Sequence, residues 1–258
     1  MPLFKKWNYF PFRMFSILFL MGIWWIVSLF LSEKFLPGPL LVFRSVVDIF
    51  ISGEFFKEMA KTFARVLIGF SFALFISVLV GVAMGIWKNI EKLFEPEILI
   101  GLTIPALCWT AISMMLFGLG EGAAVFSIVV LVSPMLVVNV LAGMKALDWE
   151  LVEMARSFHA SRRLIIAEVA LPQLVPYILA GTRYGLGLAW KIVVIAEMMG
   201  LSNGIGYKIS FWYGVFSMKE VLAWTLSFSS MMFIIEYGIL GQLEKRLTRW
   251  RVHTIMRI

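Results

Sequence analysis

Charge is scarce in this sequence. Of 258 residues, 23 are Lys or Arg and 16 are Asp or Glu, 15% in all, against about 25% in soluble domains. Cysteine is reduced to Cys108, so an intrachain disulfide is excluded. Two histidines, His159 and His253, stand too far apart to form a recognisable metal site. The phosphate-cradling pattern G-x-x-x-x-G-K-[ST] is absent, which rules out a nucleotide-hydrolysing site of that kind. Gly185-Leu186-Gly187 and Gly204-Ile205-Gly206 lack the third glycine and the preceding strand of a dinucleotide site, and read as close-packing positions or turns. No nucleophile stands beside a base, so bond chemistry is not expected. Apolar residues, by contrast, make up 61% of the chain, with 23 Phe, 16 Met and 10 Trp, and mean hydropathy is +0.91. One soluble core cannot bury that much apolar surface, whereas lipid can solvate it. The net charge of +7 is spread between apolar runs, a pattern that suits membrane orientation and not nucleic-acid binding.

A helix needs about 20 apolar residues to cross the hydrocarbon core. Residues 14–31, 66–87, 98–120 and 122–144 satisfy this without internal charge. Residues 172–199 and 221–243 satisfy it while carrying Arg183, Lys191 and Glu197, and Glu236. The expectation is an all-α polytopic membrane protein, one transmembrane domain over residues 1–258 with six spans. With the N-terminus inside, Lys5, Lys6, Arg13, Lys88, Lys92, Lys145, Arg156, Arg162, Arg163, Lys245, Arg246, Arg249, Arg251 and Arg257 face inward. Lys34, Arg44, Lys57, Lys61, Arg65, Lys208 and Lys219 face outward. Fourteen against seven places both termini in the cytoplasm. The first apolar run lacks a small-x-small cleavage site and is expected to stay as a span. After it, Leu36-Pro37-Gly38-Pro39 blocks helix continuation. Leu40, Val42, Phe43, Val46, Val47 and Phe50 then recur at helical spacing, as an amphipathic surface helix or a packed corner.

Residues 145–171 form the one long polar stretch on the inner side. Asp148 is a good N-cap for a helix from Trp149 to Phe158, with Glu150 and Glu153 early in it. His159-Ala160-Ser161 interrupts, and Ser161 can cap a second helix through Arg162–Val169. Leu171-Pro172 opens the fifth span, where proline is tolerated. The product is a helix–turn–helix that either seats in a partner's groove and passes force to span five or is a plain solvated loop.

Glu153-Met154-Ala155, the turn at His159 and Val169-Ala170-Leu171-Pro172 resemble the EAA loop of binding-protein-dependent ABC importer permeases. That motif reads Glu-Ala-Ala, three residues, Gly, nine residues, Ile-x-Leu-Pro. Met154 stands at its first alanine and His159 at its glycine. Further stretches, Leu36–Pro39, Thr62–Gly69, Ile104-Pro105, Phe117–Gly120, Pro176–Arg183, Ala196–Met198 and Gly204–Tyr207, are similar to the nitrate/sulfonate/taurine branch. The resemblance implies a permease without cofactor of its own, working with a second permease chain, an extracytoplasmic solute-binding protein and cytoplasmic subunits that bind ATP and Mg. It also implies an inner (plasma) membrane location in a prokaryote. Glu150, Glu153, Met154, Ala155, Arg156, His159, Leu171 and Pro172 would then be the ATPase-coupling surface. A self-sufficient channel or secondary carrier is the alternative; an intramembrane enzyme is disfavoured by the lack of clustered acids and bases.

Charges within spans are costly unless paired or solvated. Arg183 either faces the pathway or pairs with Glu236, and Lys191 and Glu197 are expected to snorkel toward the outer end. Thr103, Thr110, Ser113, Ser133 and Asn139 are candidate pathway-lining groups, unless they bond their own helices. Pro105 and Pro134 are expected to kink spans three and four.

Overall fold

A computed structural model describes residues 10–240, with helix as its regular structure. The terminal basic residues Lys5, Lys6, Lys245, Arg246, Arg249, Arg251 and Arg257, and the last three residues of the sixth expected span, lie outside the described residues. In chain order, α1 is Phe10–Phe30, α2 Pro39–Ile51, α3 Glu54–Ile86, α4 Lys88–Thr103, α5 Ala106–Phe117 and α6 Glu121–Lys145. Then follow α7 Trp149–Ser157, α8 Arg162–Ile165, α9 Leu171–Gly200, α10 Ile205–Gly214 and α11 Met218–Phe233. Four helical runs are long and apolar enough to cross a bilayer, or five if α4 and α5 count as one broken span. The apolar part of α1, Met14–Phe30, is shorter. The architecture is a polytopic all-α bundle.

The core is organised by α3 against α6 and α6 against α9. Along α3 the residues Gly69, Ala73, Ser77, Gly81 and Gly85 recur every fourth position, which stacks them on one face. That face meets α6: a Cβ at Gly69 would lie 2.8 Å from Ile128 Cβ, one at Gly81 2.7 Å from Val140 Cβ, and one at Gly85 2.4 Å from Met144 Cβ. Small residues at such spacing let helix backbones approach closely when lipid offers no hydrophobic drive. Ser77 Oγ donates across the seam to Ser133 O at 3.0 Å. On a neighbouring face of α6 Gly143 accommodates Leu174 and Tyr177 of α9.

Three expectations change. The second span begins at Glu54 and runs 33 residues, because the charges at 54–65 are carried on a continuous helix instead of a loop. The third span is two helices bent by 104°. Ile104, which precedes Pro105, is held extended (φ −69, ψ 129), since a residue before proline avoids the α region. Pro134 lies inside α6, which continues through it. The second helix of the 145–171 loop does not stop before span five. It passes through a π-helical turn, Ile166–Ala170, directly into α9. Pro172 has no N–H for the usual i−4 bond and its ring crowds that carbonyl, and a wider turn accommodates the mismatch. Gly204–Gly206, read from the sequence as close-packing positions or a turn, open the helix α10.

The proline-rich break after α1 holds as expected, and α2 starts on Pro39. Its amphipathic character also holds. Val42, Ser45 and Ile49 are buried, Ser45 Oγ donates to Glu220 of α11 at 3.3 Å, and Phe50 stacks on Phe55, which meets Trp224. Leu40, Phe43, Val47 and Ile51 point outward. It is therefore a packed corner with an apolar outer face.

Gly85→Leu should lower the melting temperature of the detergent-solubilised protein, costing about 1–3 kcal/mol by overpacking the α3–α6 seam. Gly22→Leu on α1, where a Cβ meets nothing within 4 Å, should leave it unchanged. Equal melting temperatures for the two variants would refute the seam.

Candidate functional site

Two places in the bundle gather polar chemistry, one at each end of α9. At its start, Asp148 caps α7 by accepting from the N–H groups of Glu150 and Leu151 at 3.0 and 3.3 Å. Its own N–H donates to Gln173 Oε1 of α9 at 2.9 Å. Ser161 caps α8 by accepting from Leu164 N–H at 3.3 Å. Between the caps, His159 N–H donates to Arg156 O at 2.8 Å and Ala160 N–H to Ala155 O at 3.1 Å, the paired bonds of a Schellman ending. That ending requires a left-handed residue, and His159 takes φ 56 itself. The loop is anchored by buried Leu147 and Val152; Leu147 packs with Val140, Met144 and Leu174. Its outer surface carries Glu150, Glu153, Met154, Arg156, His159 and Leu171, all exposed, with Ala155 and Pro172 half-buried. At this same end Lys145 of α6 pairs with Glu91 of α4 at 2.5 Å.

At the far end of α9 lies a cluster centred on Arg65, whose side chain is 3% exposed. Its Nε and Nη2 donate to the two oxygens of Glu121 at 2.5 and 2.6 Å. Nη1 donates to Glu197 Oε1 at 2.6 Å and to Asn203 O at 3.1 Å, and Nη2 also reaches Asn203 Oδ1. Glu197, fully buried, accepts in addition from Thr62 Oγ1 at 3.0 Å and from Gly206 N–H at 2.8 Å. Gly204 N–H donates to Glu58 at 2.6 Å and Ile205 N–H to Thr62 Oγ1 at 3.0 Å. The first N–H groups of α10, at the positive end of its dipole, thus face two carboxylates. Glycine is required twice: Gly204 has φ 104, and a Cβ on Gly206 would lie 2.2 Å from Val194 O. Lys61 flanks Glu58 at 3.2 Å, and Lys208 pairs with Glu54.

A family profile described as "Binding-protein-dependent transport system inner membrane component" matches residues 73–249, more than half of the chain. The chain belongs to this family. It is similar to the taurine transport system permease protein TauC of Escherichia coli (strain K12), at 28% identity over 238 residues covering 90% of this chain and 86% of that protein. It is likewise similar to the nitrate import permease protein NrtB of Synechococcus elongatus, at 31% identity over 199 residues covering 73% of this chain and 71% of that one. A solved structure of inward-facing MetNI methionine ABC transporter superimposes with a TM-score of 0.64 over 75% of this chain and 95% of that chain, at 17% identity. That last likeness is one of fold.

Within an ABC importer permease, the other expected site residues do not gather into one site. Thr103 is exposed and donates to Ile100 O at 3.1 Å; Thr110 and Ser113 are buried and donate to Ala106 O at 2.9 Å and Trp109 O at 2.7 Å. Asn139 Nδ2 donates to Met135 O at 2.9 Å. Each satisfies a carbonyl of its own helix. Ser133 Oγ is buried with no partner among the described residues. Arg183 and Glu236 are both half-buried, and the ion pairs of the described residues do not join them to each other. Glu197 does not snorkel: Arg65, Thr62 and the Gly206 amide give it a buried setting with both oxygens satisfied. Lys191 is exposed. Among the described residues no group of three or more His, Cys, Asp or Glu could hold a metal ion.

Sequence reasoning missed the Arg65 cluster. Starting span two at Val66 put Glu58, Thr62 and Arg65 in a loop. Arg65 continues the every-fourth-residue stripe of α3 outward, and Glu58 and Thr62 share its side of the helix at spacings of three and four, which was the available signal.

A left-handed conformation costs a non-glycine residue about 1–2 kcal/mol. His159→Gly should therefore raise the loop's protection in hydrogen exchange at Arg156–Ala160, and His159→Val should lower it. The reverse order would show that the imidazole stabilises the turn through a contact of its own.

Proposed function

We propose that this permease forms the translocation pathway for a small, anionic solute such as a sulfonate, taurine or nitrate. It works as a homodimer, takes the solute from an extracytoplasmic binding protein, and is driven by cytoplasmic subunits that bind ATP and Mg. Both termini then lie in the cytoplasm, with α7 and α8 on the same side. The observation that carries this reading is the α7–α8 knob. It is capped at both helices, anchored through Val152 and Gln173, and exposes Glu153, Met154 and Arg156 at the base of a helix that runs to the opposite end of the bundle. A mobile polar loop would have no reason to be built so firmly. Capping contributes about 1 kcal/mol per helix, and a continuous helix passes on displacement instead of absorbing it. Small-anion substrates are supported by the taurine and nitrate relatives. Family membership weighs against a self-sufficient channel or carrier.

Affinity purification of the chain from membranes should bring down an ATP-hydrolysing subunit in stoichiometric amount. Glu153→Lys should reduce ATP hydrolysis by the assembled complex about tenfold, as charge reversal on an exposed docking face costs about 1–3 kcal/mol. Recovery of the permease alone, still active in uptake, would overturn the proposal.

A further inference from the structure

The helical run Arg162–Gly200 has 39 residues and reaches about 58 Å, so it spans from the knob to the Arg65 cluster. At its far end Glu197 sits three residues before the helix stops. Through Glu197 and Arg65, α9 is bonded to α3; through the two Arg65–Glu121 bonds, to the first residue of α6; and through Gly206, to the start of α10. Arg65 and Glu197 are buried, and a buried charge parted from its partner is left uncompensated. The end of α9 and the starts of α6 and α10 are therefore held to α3, at Arg65 within it, much more firmly than apolar contact would hold them. One arm differs. The Glu121 side chain is 66% exposed and borders a cavity of 330 Å³ shared with Asn203, Ser202 and Tyr207. Water reaches this arm, so it can be altered without stranding a buried charge.

We propose that Arg65 is a positioning residue: it fastens the far end of α9 to α3, α6 and α10, so that a displacement applied at the α7–α8 knob arrives at α10 and α6 as movement of one body, with Glu121 the arm that carries it to α6. This rests on the reading that an ATP-binding partner moves the knob. Arg65 is itself a poor test, since its removal strands Glu197 and can prevent folding. Glu121→Gln keeps the size and an acceptor oxygen but loses the charge.

The test uses the full complex with its ATP-binding subunits in lipid nanodiscs, Cys108 replaced by serine, and one chain spin-labelled at Ser157 on α7 and Gly122 at the start of α6, both exposed. With Glu121 intact, the label-to-label distance distribution should be the same with and without ATP and Mg. In Glu121→Gln it should shift on adding them, and Glu121→Asp, which restores the charge, should abolish the shift. Distributions indifferent to nucleotide in Glu121→Gln overturn the proposal, even if that variant melts at a lower temperature, because Glu121 would then serve stability alone. A Glu121→Gln chain that fails to assemble overturns it for the same reason. Absence of any ATP-binding subunit in the wild-type preparation is seen before labelling and overturns the reading beneath it, and the proposal with it.

Discussion

A guanidinium buried in a membrane-embedded bundle has to be surrounded by partners, and Arg65 has them on three other segments of chain. It holds Glu121 with two bonds and Glu197 and Asn203 with further ones. Breaking a buried ion pair by removing one partner typically costs about 3–5 kcal/mol, comparable to the whole stability of many domains. The cluster therefore constrains where α6 begins, where α9 ends and how α10 leaves. The left-handed Gly204 and the side-chain-free Gly206 follow from it, because the α10 amides must come within hydrogen-bond reach of Glu58 and Glu197.

Below that cluster the bundle is held by shape. The small-residue face of α3 lets α6 approach until its Ile128, Val140 and Met144 fill the space that side chains on α3 would have taken. α9 packs against both α6 and α3, with Gly185 against Leu136, Val132 and Phe70, and enters the knob through a π-helical turn that absorbs Pro172. The knob and the charged cluster are thus opposite ends of the same helix, one exposed and available to a partner, the other buried and satisfied. Such a division suits a subunit whose work is to receive force at one end and rearrange at the other.

The knob was legible in the sequence because its chemistry is local. Asp148 and Ser161 cap helices within three residues of themselves, and the Schellman turn closes over Ala155–Ala160, so residue order alone locates them. The histidine at the turn was also visible, though only the backbone reveals that it accepts φ 56 itself. The cluster was not legible, since Arg65 meets partners 56 and 132 residues away. Pairing at that distance is decided by which helix faces meet, and hydropathy treats Glu58, Lys61 and Arg65 as the end of a span. Pro105 announced a break but not its angle, because two helices joined by two extended residues, Ile104 and Pro105, can diverge in many directions until α6 and α9 choose among them. The hydroxyls of spans three and four looked like pathway groups. Thr103, Thr110 and Ser113 bond carbonyls one turn back, the usual use of such side chains in an apolar setting, and Ser133 does not.

The central claim is that the outward face of α7 is where an ATP-hydrolysing partner holds this permease. The most direct measurement is photo-crosslinking from single positions of α7 in intact membranes, using a photoreactive amino acid. Met154, 53% exposed, should give an adduct with the ATP-binding subunit, whereas Val152, 5% exposed and turned into the loop's own core, should give none. Adducts from both positions, or from neither, would contradict the account.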